Sequence, residues 1–145
     1  ARNGIQKLVI INGHGGNNSA LKEAAYHIHY RRGTFIAVIH WWMLIGDLTV
    51  EHFGQAGGHA GLDETACVQA IDPALVDKDE YNDKMAWQMR PGSDVYPSPG
   101  SVLLYKEGEG EPNFDYQQAK TYLPKVCDAV GDYILEVMEQ WKQLD

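Results

Sequence analysis

The apolar run Leu8-Val9-Ile10-Ile11 leads without a spacer into Asn12-Gly13-His14-Gly15-Gly16-Asn17. A short β-branched run reads as a strand buried in a sheet. Three glycines around one histidine read as a tight turn where backbone can come close to another group. A helical pattern begins at Asn17, Asn18 or Ser19. This order places His14 at the carboxyl end of a strand, above a helix N-terminus. In open α/β sheets that crevice is where ligands bind. A histidine ringed by glycines packs poorly in a core and suits a metal ion.

The following segments extend the α/β pattern. Leu21, Ala24, Ala25 and Ile28 keep helical spacing and predict a helix over 18–32, stopped by Gly33. His27 and His29 are two apart, face different sides and cannot hold one ion together. Thr34 to His40 reads as a second strand, with Phe35, Ile36, Val38 and Ile39 as its buried run. Strand, helix and strand in that order make a parallel βαβ unit. His40 then also lies at a carboxyl strand end, as a pocket wall or core residue, and Trp41 and Trp42 cap a core or line an interface.

A second glycine-rich turn, Gln55-Ala56-Gly57-Gly58-His59-Ala60-Gly61, precedes a helix expected over 62–71 that ends at Pro73. Glu64, Cys67, Val68 and Ile71 share one face of that helix. Asp77 to Trp87 is charged, with a short helix at most, and Arg90 to Gly100 is loop. Ser101 to Tyr105 reads as a short strand or an edge. Glu107-Gly108-Glu109-Gly110-Glu111-Pro112 reads as a solvated acidic turn. A stripe from Ala119 through Tyr122, Val126, Val130, Ile134 and Met138 to Trp141 marks a last amphipathic helix. Pro124 should bend it or mark its start.

Residues 1–145 are long enough for a single domain with a real core. The net charge of −8 argues against nucleic acid or anionic membranes as partners. No apolar stretch reaches membrane-spanning length, and none has the make-up of a secretory leader. Cys67 and Cys127 fit no Cys-x-x-Cys pattern and read as buried free thiols of a reducing, cytoplasmic compartment. The opening Ala1-Arg2-Asn3-Gly4 reads as a helix C-terminus, which suggests the carboxyl-terminal part of a longer protein.

Histidine plus carboxylate is the donor set of hydrolytic zinc, manganese or iron sites, and His14, His59 and Glu64 supply both. The pair Asn12-Gly13-His14-Gly15-Gly16-Asn17 and Gly58-His59-Ala60-Gly61-Leu62-Asp63-Glu64-Thr65 resembles the creatininase (creatinine amidohydrolase) family. The resemblance is carried by residues 4–72. It implies an α/β fold of three α/β/α layers with a mostly parallel sheet. It also implies hydrolysis of a C–N amide or related carbonyl bond of a small molecule, two divalent metal ions (zinc, manganese or iron), and a homo-oligomer, often a hexamer.

By the same resemblance His14 is a metal ligand and His59 the catalytic histidine beside the substrate. Glu64 is a metal ligand or the acid/base partner. Asn12, Gly15, Asn17 and Gly58 shape the turns or contact the substrate. Some members carry a glutamate ligand where this chain has Gly16. The family's Glu-x-His pair and bridging Asp find no counterpart ahead of His14, and the adjacent Glu51-His52 does not replace them. The implied chemistry is a metal-activated water attacking the carbonyl, with His59 stabilising the oxyanion and protonating the leaving nitrogen. Three other readings compete. The histidines could be structural. A glycine-rich turn before a helix suits phosphate, but the spacing and the P-loop lysine are missing. The chain could also be a non-catalytic or partner-requiring half.

Overall fold

The computed structural model describes residues 4–144. The elements, in chain order, are β1 (Lys7–Asn12), α1 (Asn18–Arg32), β2 (Phe35–His40), α2 (Trp41–Leu44), α3 (Gly46–Phe53), β3 (Gly58–His59), α4 (Leu62–Ile71), β4 (Ala86–Gln88), β5 (Val102–Leu104) and α5 (Tyr116–Lys142). Short 3-10 turns at Gly15–Asn17, Pro73–Leu75 and Asp83–Met85 join some of them. The fold class is α/β, as the sequence pattern indicates. The residues group into two compact units. One runs through Leu44 and resumes at Asp128, and the other is Ile45–Cys127. The reading of Ala1-Arg2-Asn3 as a helix end lies outside the described residues.

In the first unit β1 and β2 pair in parallel, from Lys7 opposite Phe35 to Asn12 opposite His40. Helix α1 is the crossover between them, and Gly33 ends it at φ 67°, where its N–H reaches the His29 carbonyl at 2.7 Å. Both strands are less buried than their composition predicts: Ile39 is 3% exposed, whereas Ile11 is 56% exposed. Among the described residues each strand has one neighbour only, so one edge of each lacks a partner in the sheet. Phe35 packs against Trp141 of α5 with ring centroids 5.6 Å apart.

In the second unit β3, β5 and β4 form a mixed sheet. β5 is central, antiparallel to β3 and parallel to β4. Ser101 to Tyr105 therefore yields a central strand rather than an edge. Leu62, Ala66, Val102, Leu104, Ala119 and Tyr122 make the core of this unit. The Tyr122 hydroxyl meets Thr49 Oγ1 at 2.7 Å, and Thr49 Oγ1 donates to the Ile45 carbonyl at 3.2 Å. Buried positions of α4 are Leu62, Asp63, Ala66 and Gln69, not the expected face through Val68 and Ile71, and Ile71 is 72% exposed. Both sets obey helical spacing, so spacing could not choose between them. Pro124 lies inside α5, which begins at Tyr116, so the proline does not mark its start.

Candidate functional site

The first turn is organised by Asn12. Its side chain is 2% exposed, at the last position of β1. Its Oδ1 accepts the His14 N–H and the Asn17 side-chain amide, both at 3.2 Å. Its Nδ2 lies 2.9 Å from each of the His14 carbonyl, Asn18 Oδ1 and His40 Nδ1. Two amide protons thus serve three acceptors. Every polar atom of Asn12 is spent on shaping the turn. His40 enters through its Nδ1 as one of those acceptors.

His14 caps the short turn that follows it, its Nδ1 accepting the Gly16 N–H at 3.1 Å. A Cβ at Gly16 would stand 2.9 Å from that same nitrogen. Glycine at position 16 is therefore what lets the ring fold back, and a glutamate there would push it away. A Cβ at Gly15 would make only ordinary contact with Trp42, at 3.8 Å. Asn17 closes the turn with its N–H on the His14 carbonyl at 3.1 Å.

The second turn belongs to the other unit. His59 is not in a loop but on β3, opposite Leu103 of β5, so the sheet fixes its backbone. Its Nδ1 lies 3.7 Å from Glu64 Oε2. The same oxygen accepts the Ala60 N–H at 2.6 Å. Ala60 sits at φ 49°, a left-handed conformation that costs a non-glycine residue about 1–3 kcal/mol. Glu64 occupies the first turn of α4 and reaches back past the cap residue Gly61, much as a capping-box glutamate does. It therefore stabilises the strained turn and faces His59 with one carboxylate oxygen.

What holds this turn is a residue that local sequence does not single out. Asp63 is 4% exposed, and its Oδ1 accepts the Gly58 N–H at 3.0 Å. Burial pushes its carboxyl above the usual range, and the neighbouring Glu64 charge adds to that. A Cβ at Gly57 would overlap this carboxylate. Gly58 itself is packed by the sheet, since a Cβ would come within 2.8 Å of the Leu103 carbonyl. The acidic turn, expected to be solvated, is instead part of the frame. Glu109 accepts the Ala56 N–H at 2.7 Å, the Gly110 carbonyl accepts the Leu62 N–H at 3.0 Å, and the Gly110 N–H donates to Gln55 Oε1 at 3.2 Å. Gly110 stands at φ 96°, a backbone setting only glycine takes easily. In the sequence, the alternating glycines Gly108 and Gly110 are the one signal of it.

A cavity of about 430 Å³ opens beside Ala60, Glu64 and Thr65. That volume lies within the range of small-molecule pockets, roughly 300–1,000 Å³.

The other histidines have structural partners. His29 Nδ1 bonds the Thr34 carbonyl at 3.0 Å, His27 lies 3.6 Å from Glu23, and His52 bridges the Gln118 carbonyl at 3.1 Å and Lys125 at 3.2 Å. Of the thiols, Cys127 is exposed rather than buried, while burial pushes Cys67 up to about 12.

The sequence model of creatininase, creatinine amidohydrolase, matches residues 1–122. The chain belongs to the creatininase family. No curated protein and no solved structure gives a significant match. Creatininase membership suggests in general a metal-dependent hydrolase acting on amide bonds. Among the described residues no three His, Cys, Asp or Glu side chains gather as a metal site. His14 would also have to surrender its Gly16 bond to ligate through Nδ1. A ligating imidazole ordinarily donates its second N–H, whereas here Nδ1 accepts. By themselves the described side chains do not assemble the family's metal pair, and His14 and Glu64 are single donors in separate units.

Among the described residues no helix is long and apolar enough to cross a membrane.

Proposed function

We propose that this chain is an amidohydrolase of the creatininase family, cleaving a C–N amide or related carbonyl bond of a small molecule, with His59 as its catalytic residue. The observation that carries the reading is a half-buried histidine fixed on a strand, with a carboxylate 3.7 Å from its Nδ1 and a cavity opening beside that carboxylate. Glu64 faces the Nδ1 side of the ring, and His59 itself does not line the cavity, so in this reading Nε2 is the nitrogen that exchanges protons with the substrate. A ring so held can accept a proton from the attacking water and return it to the leaving nitrogen. The Glu64 distance is longer than a hydrogen bond, and such contacts often tighten only with substrate present.

Two divalent ions, zinc, manganese or iron, belong to this reading on family grounds, with His14 and Glu64 as the donors the chain offers. Further ligands must then come from beyond these two. Asn12, Gly15 and Asn17 in the first turn, and Gly58 in the second, stay in the proposal as residues that shape their own turns or contact the substrate. A homo-oligomer and a cytoplasmic location belong to it as well.

The test is hydrolysis of a panel of small amides, with elemental analysis of the same samples. His59→Ala should keep the fold and the metal content and lose turnover by roughly 100-fold or more. His14→Ala should lower metal content. Full activity in His59→Ala would overturn the assignment. Absence of both metal and turnover in the intact chain would favour the non-catalytic or partner-requiring reading.

A further inference from the structure

We propose that the cavity beside Glu64 selects the substrate, accepting an apolar organic cation and rejecting anions. The inference rests on reading His59 and Glu64 as the reaction centre, because the cavity is placed by Ala60 and Glu64. Its walls are largely apolar, with Val68, Leu75, Val76, Met85 and Val102 among them. Its charged lining is Glu64, Asp77 and Glu80, with no lysine or arginine among the lining residues. A carboxylate ligand would meet only like charge there, while an ammonium would find opposite charge in the half-buried Glu64 and in the exposed Asp77 and Glu80. Two aromatic rings reinforce the preference. Tyr81 and Phe114 both line the cavity, with centroids 5.8 Å apart. Aromatic faces attract cations. The Tyr81 hydroxyl donates to Glu111 at 3.2 Å, which ties its ring to the acidic segment.

Exposed hydrophobic side chains belong to the same picture. Val68 is 41% and Leu75 68% exposed, both on this cavity, so apolar surface faces water where an apolar ligand body would cover it. The ligand is therefore an amide whose body is an aromatic or aliphatic group of moderate size bearing an amine or amidine.

Binding can be read without turnover. Three probes of matched size, phenethylammonium, 2-phenylethanol and phenylacetate, are titrated at pH 7 into the 15N-labelled chain. The amide resonances of Val76 and Phe114 report occupancy. The cation should bind about fivefold to tenfold more tightly than the alcohol, and phenylacetate should give no saturable shift. Val68→Trp, which fills the cavity, should abolish the shifts. Should that variant not fold, the Asp77→Asn/Glu80→Gln pair decides, because it should bring the cation and the alcohol within about twofold of each other. Equal binding of cation and anion, or an unchanged preference in the charge-removed pair, would overturn the proposal. Matched primary amides carrying ammonium, neutral or carboxylate groups separate it from the catalytic reading. Selective binding of cations without hydrolysis would sink the catalytic reading alone. Hydrolysis with no charge preference would sink the cavity assignment alone.

Discussion

The carboxylate of Glu109 and the backbone N–H of Ala56 meet at 2.7 Å across 53 positions of chain. Lys106 and this N–H together hold the Glu109 carboxyl below its usual 4.5, with the Lys106 bond the larger cause. The sign follows directly. A group with a lowered folded pKa contributes stability above 4.5, and that contribution fades as pH falls through the lowered value. The Ala56 amide resonance should therefore titrate below pH 4.5 in the native chain and become insensitive in Glu109→Gln. An Ala56 amide that ignores acid in the unmodified protein would mean the bond is not made in solution.

Asp63 should act in the opposite sense. Its carboxyl is raised from 3.8, first by burial and then by the Glu64 charge. Its contribution is fully present below 3.8 and is lost as pH rises through the elevated value. Asp63→Asn retains an oxygen for the Gly58 N–H and cannot ionise. Urea midpoints of native and variant chains should converge in acid and separate as pH rises toward neutrality, with the variant gaining. A gap that stays constant with pH would show that Asp63 is not desolvated.

Two glycine substitutions should move stability in opposite directions. A Cβ at Gly61 would overlap the Gly110 carbonyl, backbone against backbone, so Gly61→Ala should cost about 1–3 kcal/mol. Gly131 lies within α5 with nothing within 4 Å of a Cβ, so Gly131→Ala should gain roughly 0.5–1 kcal/mol through helix propensity. Thermal melts of the two variants against the parent decide both.

The two thiols should differ in reactivity. Burial holds Cys67 near 12, so little thiolate exists at neutral pH, while Cys127 is exposed. Iodoacetamide at pH 7.5 should modify Cys127 first, with Cys67 labelled only after denaturation. Mass mapping of the labelled peptides reads this out, and early labelling at Cys67 would show that its surroundings open readily.

Much of the local structure was legible in the chain itself. Helix α1 and helix α4 begin and end where caps and spacing placed them, and β1 and β2 pair in the predicted parallel sense. These are short-range signals: a β-branched run, a glycine stop, an Asn-rich start. What could not be read depends on distant partners. Nothing local says that Val102–Leu104 will lie between two other strands, or that Gly110 will pack on Gly61. The helical face of α4 was ambiguous because two residue sets share the spacing. Asp63 escaped notice because its neighbour Glu64 looked like the functional carboxylate, and only burial distinguishes them.

The support beneath His59 also sets an order in time. A strand of two residues, Gly58–His59, has no persistence of its own and takes its shape from Leu103, Leu104 and Gly110. As the chain leaves the ribosome, His59 and Glu64 emerge well before the segment that fixes them. Closing that long loop costs entropy before any contact rewards it. The histidine's final geometry is thus among the later events in the maturation of its unit, and a nascent chain stalled short of residue 110 would present the residues of the site without its form.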